Sequence, residues 1–279
     1  MLQGFLRMFS RLPLPWIHGL GAALGRIVYR LSPSYAKRFR ENLDASGCYR
    51  DRDEYRALLR QSVPETGKAF LELFPVWFGA GMEKLVQCDD WDVVKKAEEA
   101  GKGIIFLTPH LGCFEISALY CAQFMPLTVL YRKPKLAWLE PLMSAGRSHV
   151  SLAPADLSGV RKLLRALKKG EAVGLLPDQA PGAGEGVWAE FFGRPAYTMT
   201  LAGRLKVSSQ AAVVMAFAER LPHGTGYRLH LEAVEGDISP SSLNHSIEKL
   251  VRTCPSQYLW SYNRYKVPAG ARPRSQDDD

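Results

Sequence analysis

Five short apolar runs, at residues 103–107, 127–131, 172–176, 210–218 and 227–231, constrain the fold of this chain more than any other feature. Each has strand length and little polar alternation, the pattern of strands covered on both faces. The stretches between them read as helices. Residues 158–169 form one that stops at Gly170, and residues 90–101 a polar one that stops at Gly101, as helices often end on glycine. Before the first run, residues 33–85 place Tyr55, Leu58, Leu59 and Val63, then Phe70, Leu71 and Phe74, at helical spacing. Strands alternating with helices predict an α/β fold: a mixed, mostly parallel sheet flanked by helices. The 279 residues suffice for one sizeable α/β domain. The expected division is an N-terminal helix at 1–31, the main domain at 32–265 and a tail at 266–279.

The N-terminus stands apart by its charge. Residues 1–40 carry seven Lys or Arg and no acidic residue. The stretch 12–31 is apolar but interrupted by Pro13, Pro15, His18, Arg26 and Arg30, which argues against a secretory signal or an uninterrupted membrane span. Trp16, Leu20, Leu24, Ile27 and Leu31 fall near one helical face, so an amphipathic helix lying in a membrane interface is expected. A core helix of a soluble protein would show the same apolar spacing. The net charge of +8 fits an anionic membrane surface, although charge alone also fits nucleic acid. No nucleic-acid-binding motif accompanies it, and nucleic acid is not an expected partner. The five cysteines, at 48, 88, 113, 121 and 254, form no C-x-x-C. They read as separate reduced thiols, and no metal site is expected.

The most informative segment is Gly103-Ile-Ile-Phe-Leu-Thr-Pro-His110-Leu-Gly-Cys-Phe-Glu115. A buried strand runs into Pro109, which cannot continue the pairing, so the chain turns there and a helix starts after it. Residues five apart on a continuous helix point about 140° away from each other. His110 and Glu115 therefore meet only if His110 sits in the entering turn and Glu115 one turn inside the helix, with Gly112 giving the backbone room. A carboxylate on one imidazole nitrogen makes the other a better base, able to take a proton from a hydroxyl attacking an acyl carbonyl. An isolated H-x4-E is more often a helix-capping histidine beside a surface glutamate.

Other polar residues follow strands. Arg132, next to Lys133 and Lys135, is suited to phosphate or to an oxyanion, or belongs to a solvated basic loop. Arg147 binds phosphate or decorates a helix. Asp178 and Gln179 end the third run, where they bind substrate hydroxyls or simply make a turn. The Gly-rich loop 181–186 lacks the spacing of a nucleotide site, and no cofactor is expected. Trp188, Phe191 and Phe192 line an acyl channel or belong to the core. Arg161, Lys162, Arg165, Lys168 and Lys169 spread around one helix, as a solvated face or a dock for an acidic partner.

Taken together, Thr108-Pro-His-Leu-Gly-Cys-Phe-Glu115, Tyr131-Arg-Lys-Pro134, Leu176-Pro-Asp-Gln179, Phe191-Phe-Gly193 with Ala196 and Thr198, and Pro255-Ser-Gln-Tyr-Leu-Trp260 resemble, in order, the motifs of the bacterial lipid A late acyltransferases within the glycerolipid acyltransferase superfamily. The resemblance implies an acyltransferase with His110 and Glu115 as a catalytic dyad. It places Arg132, Arg147, Asp178 and Gln179 on the substrates. It further implies acyl carrier protein as donor, a lipid A precursor as acceptor, and action at the cytoplasmic face of the inner membrane. Two rivals stay in view: a lysophospholipid or other glycolipid acyltransferase, and a non-catalytic lipid-binding membrane protein of the same fold.

Overall fold

Prolines and caps divide the N-terminal third into helices α1 (Leu2–Phe9), α2 (Leu14–Leu31), α3 (Pro33–Ala45), α4 (Arg52–Leu71) and α5 (Leu73–Phe78). Pro33 opens α3 directly after α2 ends, and the Asp51 carboxylate caps α4 by accepting from the Asp53 and Glu54 amides at 2.9 Å each. The structure, a computed structural model, describes residues 2–134 and 137–271; Lys135 and the Asp277–Asp279 run lie outside them.

Helices α2 and α4 touch through glycine. A Cβ on Gly25 would stand 2.6 Å from the Val63 carbonyl oxygen, and Gly21 and Gly67 share this contact. The buried side of α2 is small where it meets α4, at Gly21, Ala22 and Gly25, and carries Leu14, Ile17 and His18 nearer its start. Other large apolar residues of α2 point outward: Trp16 is 68% exposed and Leu31 78%, with Leu20 and Ile27 also exposed. No helix among the described residues is long and apolar enough to cross a membrane.

The α/β part then runs β1 (Val86–Gln87), α6 (Asp92–Glu99), β2 (Ile104–Leu107), α7 (Phe114–Cys121), β3 (Leu127–Tyr131), α8 (Glu140–Gly146), β4 (Ser151–Pro154), α9 (Leu157–Lys168), β5 (Ala172–Leu175), β6 (Gly186–Phe191), β7 (Arg194–Met199), α10 (Leu201–Ser209), β8 (Ala212–Arg220), β9 (Tyr227–Val234) and α11 (Pro240–Thr253). Seven strands form one sheet in the order β1-β9-β8-β2-β5-β3-β4. Strands β8, β2, β5, β3 and β4 are mutually parallel, while β9 runs antiparallel to β8. All five expected apolar runs are strands of this mostly parallel sheet. Ile105 and Leu107 enter the core on one face, Ile104 and Phe106 the core on the other.

Strand β4 and the β6–β7 hairpin were not expected. The hairpin turns through Phe192 and Gly193, both at positive φ (49° and 67°), as a tight two-residue turn requires. Phe191 and Phe192 are buried in the main core, so they do not line a channel.

Candidate active site

Strands β2, β5 and β3 are adjacent and parallel, so their carboxyl ends open onto one place, the usual location of a site in such sheets. At the end of β2 the Thr108 amide makes a last bond to Leu175 O at 2.9 Å, and Pro109 offers no donor to continue. The turn that follows is held at each residue. Leu259 N donates to His110 O (3.0 Å), Gly112 N to Gln257 O (3.1 Å) and Cys113 N to Ala218 O (2.8 Å). Arg220 Nη2 donates to Gly112 O at 2.6 Å. Gly112 sits at φ +61° with the Ala218 carbonyl where a side chain would begin, so only glycine fits.

The carboxylate that meets His110 comes from the neighbouring strand. Asp178, beyond the end of β5, accepts from His110 Nδ1 at 2.8 Å with one oxygen and from the His110 backbone N–H at 2.9 Å with the other. Asp178 is 2% exposed. Burial pushes its carboxyl up, but the His110 charge and the ring and backbone hydrogen bonds outweigh that and hold it below its ordinary value. With the proton on Nδ1, Nε2 is left as the basic atom. It receives the Gln179 amide at 3.2 Å, and the Phe114 ring packs beside it at 4.8 Å between centroids.

The expected contact between His110 and Glu115 does not form. Helix α7 starts only at Phe114, which turns Glu115 away from His110 and under the cleft floor. There Glu115 forms a bidentate ion pair with Arg147 and accepts from the Trp77 indole at 3.0 Å. The Arg147 guanidinium also lies over the Trp77 ring, 5.4 Å from its centre. Asp178, expected on the substrate, instead stands behind His110, while Gln179 lines the cleft.

That cleft encloses about 580 Å³ and brings together His110, Arg132, Arg147, Gln179 and Arg204. Arg132 and Arg204 are exposed on it and make no ion pair among the described residues. Glu185 and Pro181 of the Gly-rich loop form part of the rim; the loop is tied down by Tyr197, whose hydroxyl accepts from the Gly184 and Gly186 amides at 3.1 and 3.3 Å. Behind Phe114, Leu130, Arg147 and Leu176, which line both spaces, a second and mainly apolar pocket of about 50 Å³ runs between α7 and the sheet. An oriented imidazole facing a cationic cleft with an apolar annex is suited to moving an acyl group between polar acceptors.

The sequence profile of the family described as bacterial lipid A biosynthesis acyltransferase matches residues 1–267. The chain belongs to that family. It is similar to the lipid A biosynthesis lauroyltransferase of Escherichia coli, 26% identical over 285 residues, covering 97% of this chain and 92% of the relative. The E. coli lipid A biosynthesis palmitoleoyltransferase is also 26% identical, over 280 residues, covering 96% and 90%. A lipid A biosynthesis acyltransferase of Haemophilus influenzae is 29% identical over 216 residues, covering 69% and 66%. As a member of the lipid A acyltransferase family the protein is an acyltransferase. Trp77, Arg204 and Arg220 were not anticipated in the site. All three reach it from distant elements, and no local motif marks them.

Proposed function

We propose that this protein transfers a fatty acyl chain from an acyl carrier protein thioester to a hydroxyl of a lipid A precursor, working from the cytoplasmic face of the inner membrane. The observation that carries the reading is the His110 imidazole, fixed by Asp178 at Nδ1 and presenting Nε2 to the cleft. In the reaction the acceptor hydroxyl attacks the thioester carbonyl while Nε2 takes its proton in place of the Gln179 hydrogen bond. That attack forms the new carbon–oxygen bond; the tetrahedral intermediate then collapses to the ester as the carbon–sulfur bond breaks, and the imidazolium returns the proton to the departing thiolate. Asp178 stabilises the imidazolium throughout. Glu115 acts one step removed, by holding Arg147 in the cleft wall. Arg132 and Arg204, which make no ion pair among the described residues, are cations suited to take an acceptor phosphate or the developing oxyanion.

Two surfaces support the assigned partners. The outward apolar face of α2, set among exposed Arg26 and Arg30, fits an anionic membrane interface. Helix α9 begins at the cleft, where Leu157 is exposed, and carries exposed Arg161, Arg165, Lys168 and Lys169, a surface complementary to an acidic carrier protein. The test is acyl transfer from acyl carrier protein to a tetra-acylated lipid A precursor, with mass spectrometry of lipid A from a strain lacking the protein. Loss of one secondary acyl chain is expected. Unchanged lipid A together with no transfer in vitro refutes the assignment.

A further inference from the structure

The apolar pocket behind the cleft contains two polar atoms that the protein leaves unpaired. Ser117 Oγ and His149 Nε2 are both buried, both belong to residues lining this pocket, and neither has a hydrogen-bond partner among the described residues. Ser117 is the more telling of the two. A buried serine inside a helix ordinarily bonds back to the carbonyl four residues earlier. Ser62, buried inside α4, does so to Leu58, and Ser10 and Ser209, at helix ends, do so to Leu6 and Leu205. Ser117 does not, although it is only 3% exposed.

Register gives the depth of each atom. Phe114, Ser117, Ala118 and Cys121 lie on one stripe of α7, at spacings of three, four and seven, and all line the pocket. From Phe114 at the mouth to Cys121 at the inner end is about 10 Å at 1.5 Å per residue. Strand β3 gives the same length, about 10 Å from Leu130 to Leu127. Because Thr128 pairs with Ser151 in parallel, Val150 stands level with Leu127, and His149 lies at the inner end. Ser117 stands part-way in. At the outer end the polar side chains of Glu115 and Arg147 pair with each other, so Ser117 and His149 are the unpaired polar groups met further in. A space of about 50 Å³ also holds water, which needs only about 10–15 Å³ per molecule and polar partners of this kind.

We propose that Ser117 and His149 form a polar stop that sets how far an acyl tail enters the pocket. A methyl-ended chain long enough to pass Ser117 strips both atoms of water and gives them nothing in return. A chain of the same length ending in a hydroxyl satisfies them. The proposal rests on the acyl-transfer reading above and adds to it a chemical preference at the tail of the donor. Burying one polar atom unpaired corresponds to a rate factor of roughly ten.

The experiment compares acyl carrier protein thioesters in a ladder of straight saturated chains, and the matching chains with a terminal hydroxyl, for the wild type, Ser117→Ala and Ser117→Ala/His149→Leu. For the wild type, kcat/KM should fall about tenfold or more at the first chain that passes the stop, and the terminal hydroxyl should restore it. The double variant should reverse that order, preferring the longer methyl-ended chain. Ser117→Ala, which removes a single atom and leaves the fold intact by circular dichroism, should give part of the reversal. Ala118→Leu, which narrows the same stripe, should shorten the preferred chain in either background. If Ala118→Leu shortens the chain but the Ser117 and His149 variants leave the preference unmoved, the polar stop is wrong while acyl transfer stands. Insensitivity of every variant to chain length overturns the stop in the same way. A wild type that transfers no chain at all removes the acyl-transfer reading and the stop with it.

Discussion

Asp178 grips His110 twice, once at ring Nδ1 (2.8 Å) and once at the backbone N–H (2.9 Å), so one buried carboxylate fixes both the ring and the turn that carries it. An asparagine cannot replace it. Its NH2 would face one of two N–H donors. Asp178→Asn should therefore lower acyl transfer strongly, within an order of magnitude of His110→Ala, whose loss should be about 10²–10⁴-fold. The two changes combined should be little worse than the worse one, because cooperating residues do not add. A folded His110→Ala protein with undiminished turnover disproves the base assignment.

Glu115 and Arg147 are half of a different device. Removing one partner of a buried ion pair costs about 3–5 kcal/mol, since the other charge is left unpaired. Glu115→Gln and Arg147→Met should each lower the denaturation midpoint, and the double variant should recover part of the loss. Independent, additive losses in that double-mutant cycle would show that the pair is not coupled.

Arg132 is exposed on the cleft and makes no ion pair among the described residues, so its substitution tests contact with substrate without disturbing the core. A charge-assisted hydrogen bond is worth about 1.5–3 kcal/mol, or roughly ten- to a hundredfold in kcat/KM. Arg132→Ala should show that loss, and Arg132→Lys should recover little of it if the contact is a two-pronged one. Normal kcat/KM in Arg132→Ala assigns the residue to a solvated loop.

The buried cluster of Glu72 makes a prediction about acid. Burial pushes this carboxyl up. The charge of Arg220 and the hydrogen bonds from His18 and Arg220 overcome that and bring it from 4.5 down to about 2. A depressed carboxylate contributes fully above its ordinary pKa and loses that contribution as the pH falls through the folded value. Wild-type stability should therefore decline between about pH 4.5 and 2. Glu72→Gln should be less stable at neutral pH and should decline less steeply across that window, since Asp178 still titrates in it. Parallel melting-temperature curves for the two proteins would contradict this.

Membrane association should depend on the outer face of α2. Trp16→Glu with Leu20→Glu, both at exposed positions, should weaken sedimentation with anionic vesicles while leaving the melting temperature nearly unchanged. Equal sedimentation of variant and wild type would exclude this face as the contact.

The strands of the sheet were legible because fully buried strands advertise themselves as apolar runs. Strand β4 and the hairpin were not, since Ser151 and Arg194–Met199 carry polar residues on partly exposed surfaces. His110 could be found from the proline-ended strand before it. Its partner could not. Asp178 becomes a neighbour only because β5 inserts beside β2, a fact of strand order that local sequence does not carry. The family resemblance, not the spacing, favoured Glu115, which is close in sequence but turned away from His110 in the first turn of α7. His18, unpartnered in the sequence, is bound to Glu72 across 54 positions.

The glycine contact between α2 and α4 makes the outermost helix also an inner wall. Cutting the chain at Ser32 would bare the backbone around Val63 and Gly67 and take His18 from Glu72, whose remaining partners are Tyr227 and Arg220, the latter holding the Gly112 carbonyl. A truncated form would thus be a damaged enzyme, not a free-floating one. Inheritance faces the same constraint as the bench. This lineage can re-tune its address by recolouring the outer face of one helix, but it cannot discard that helix and keep the catalyst.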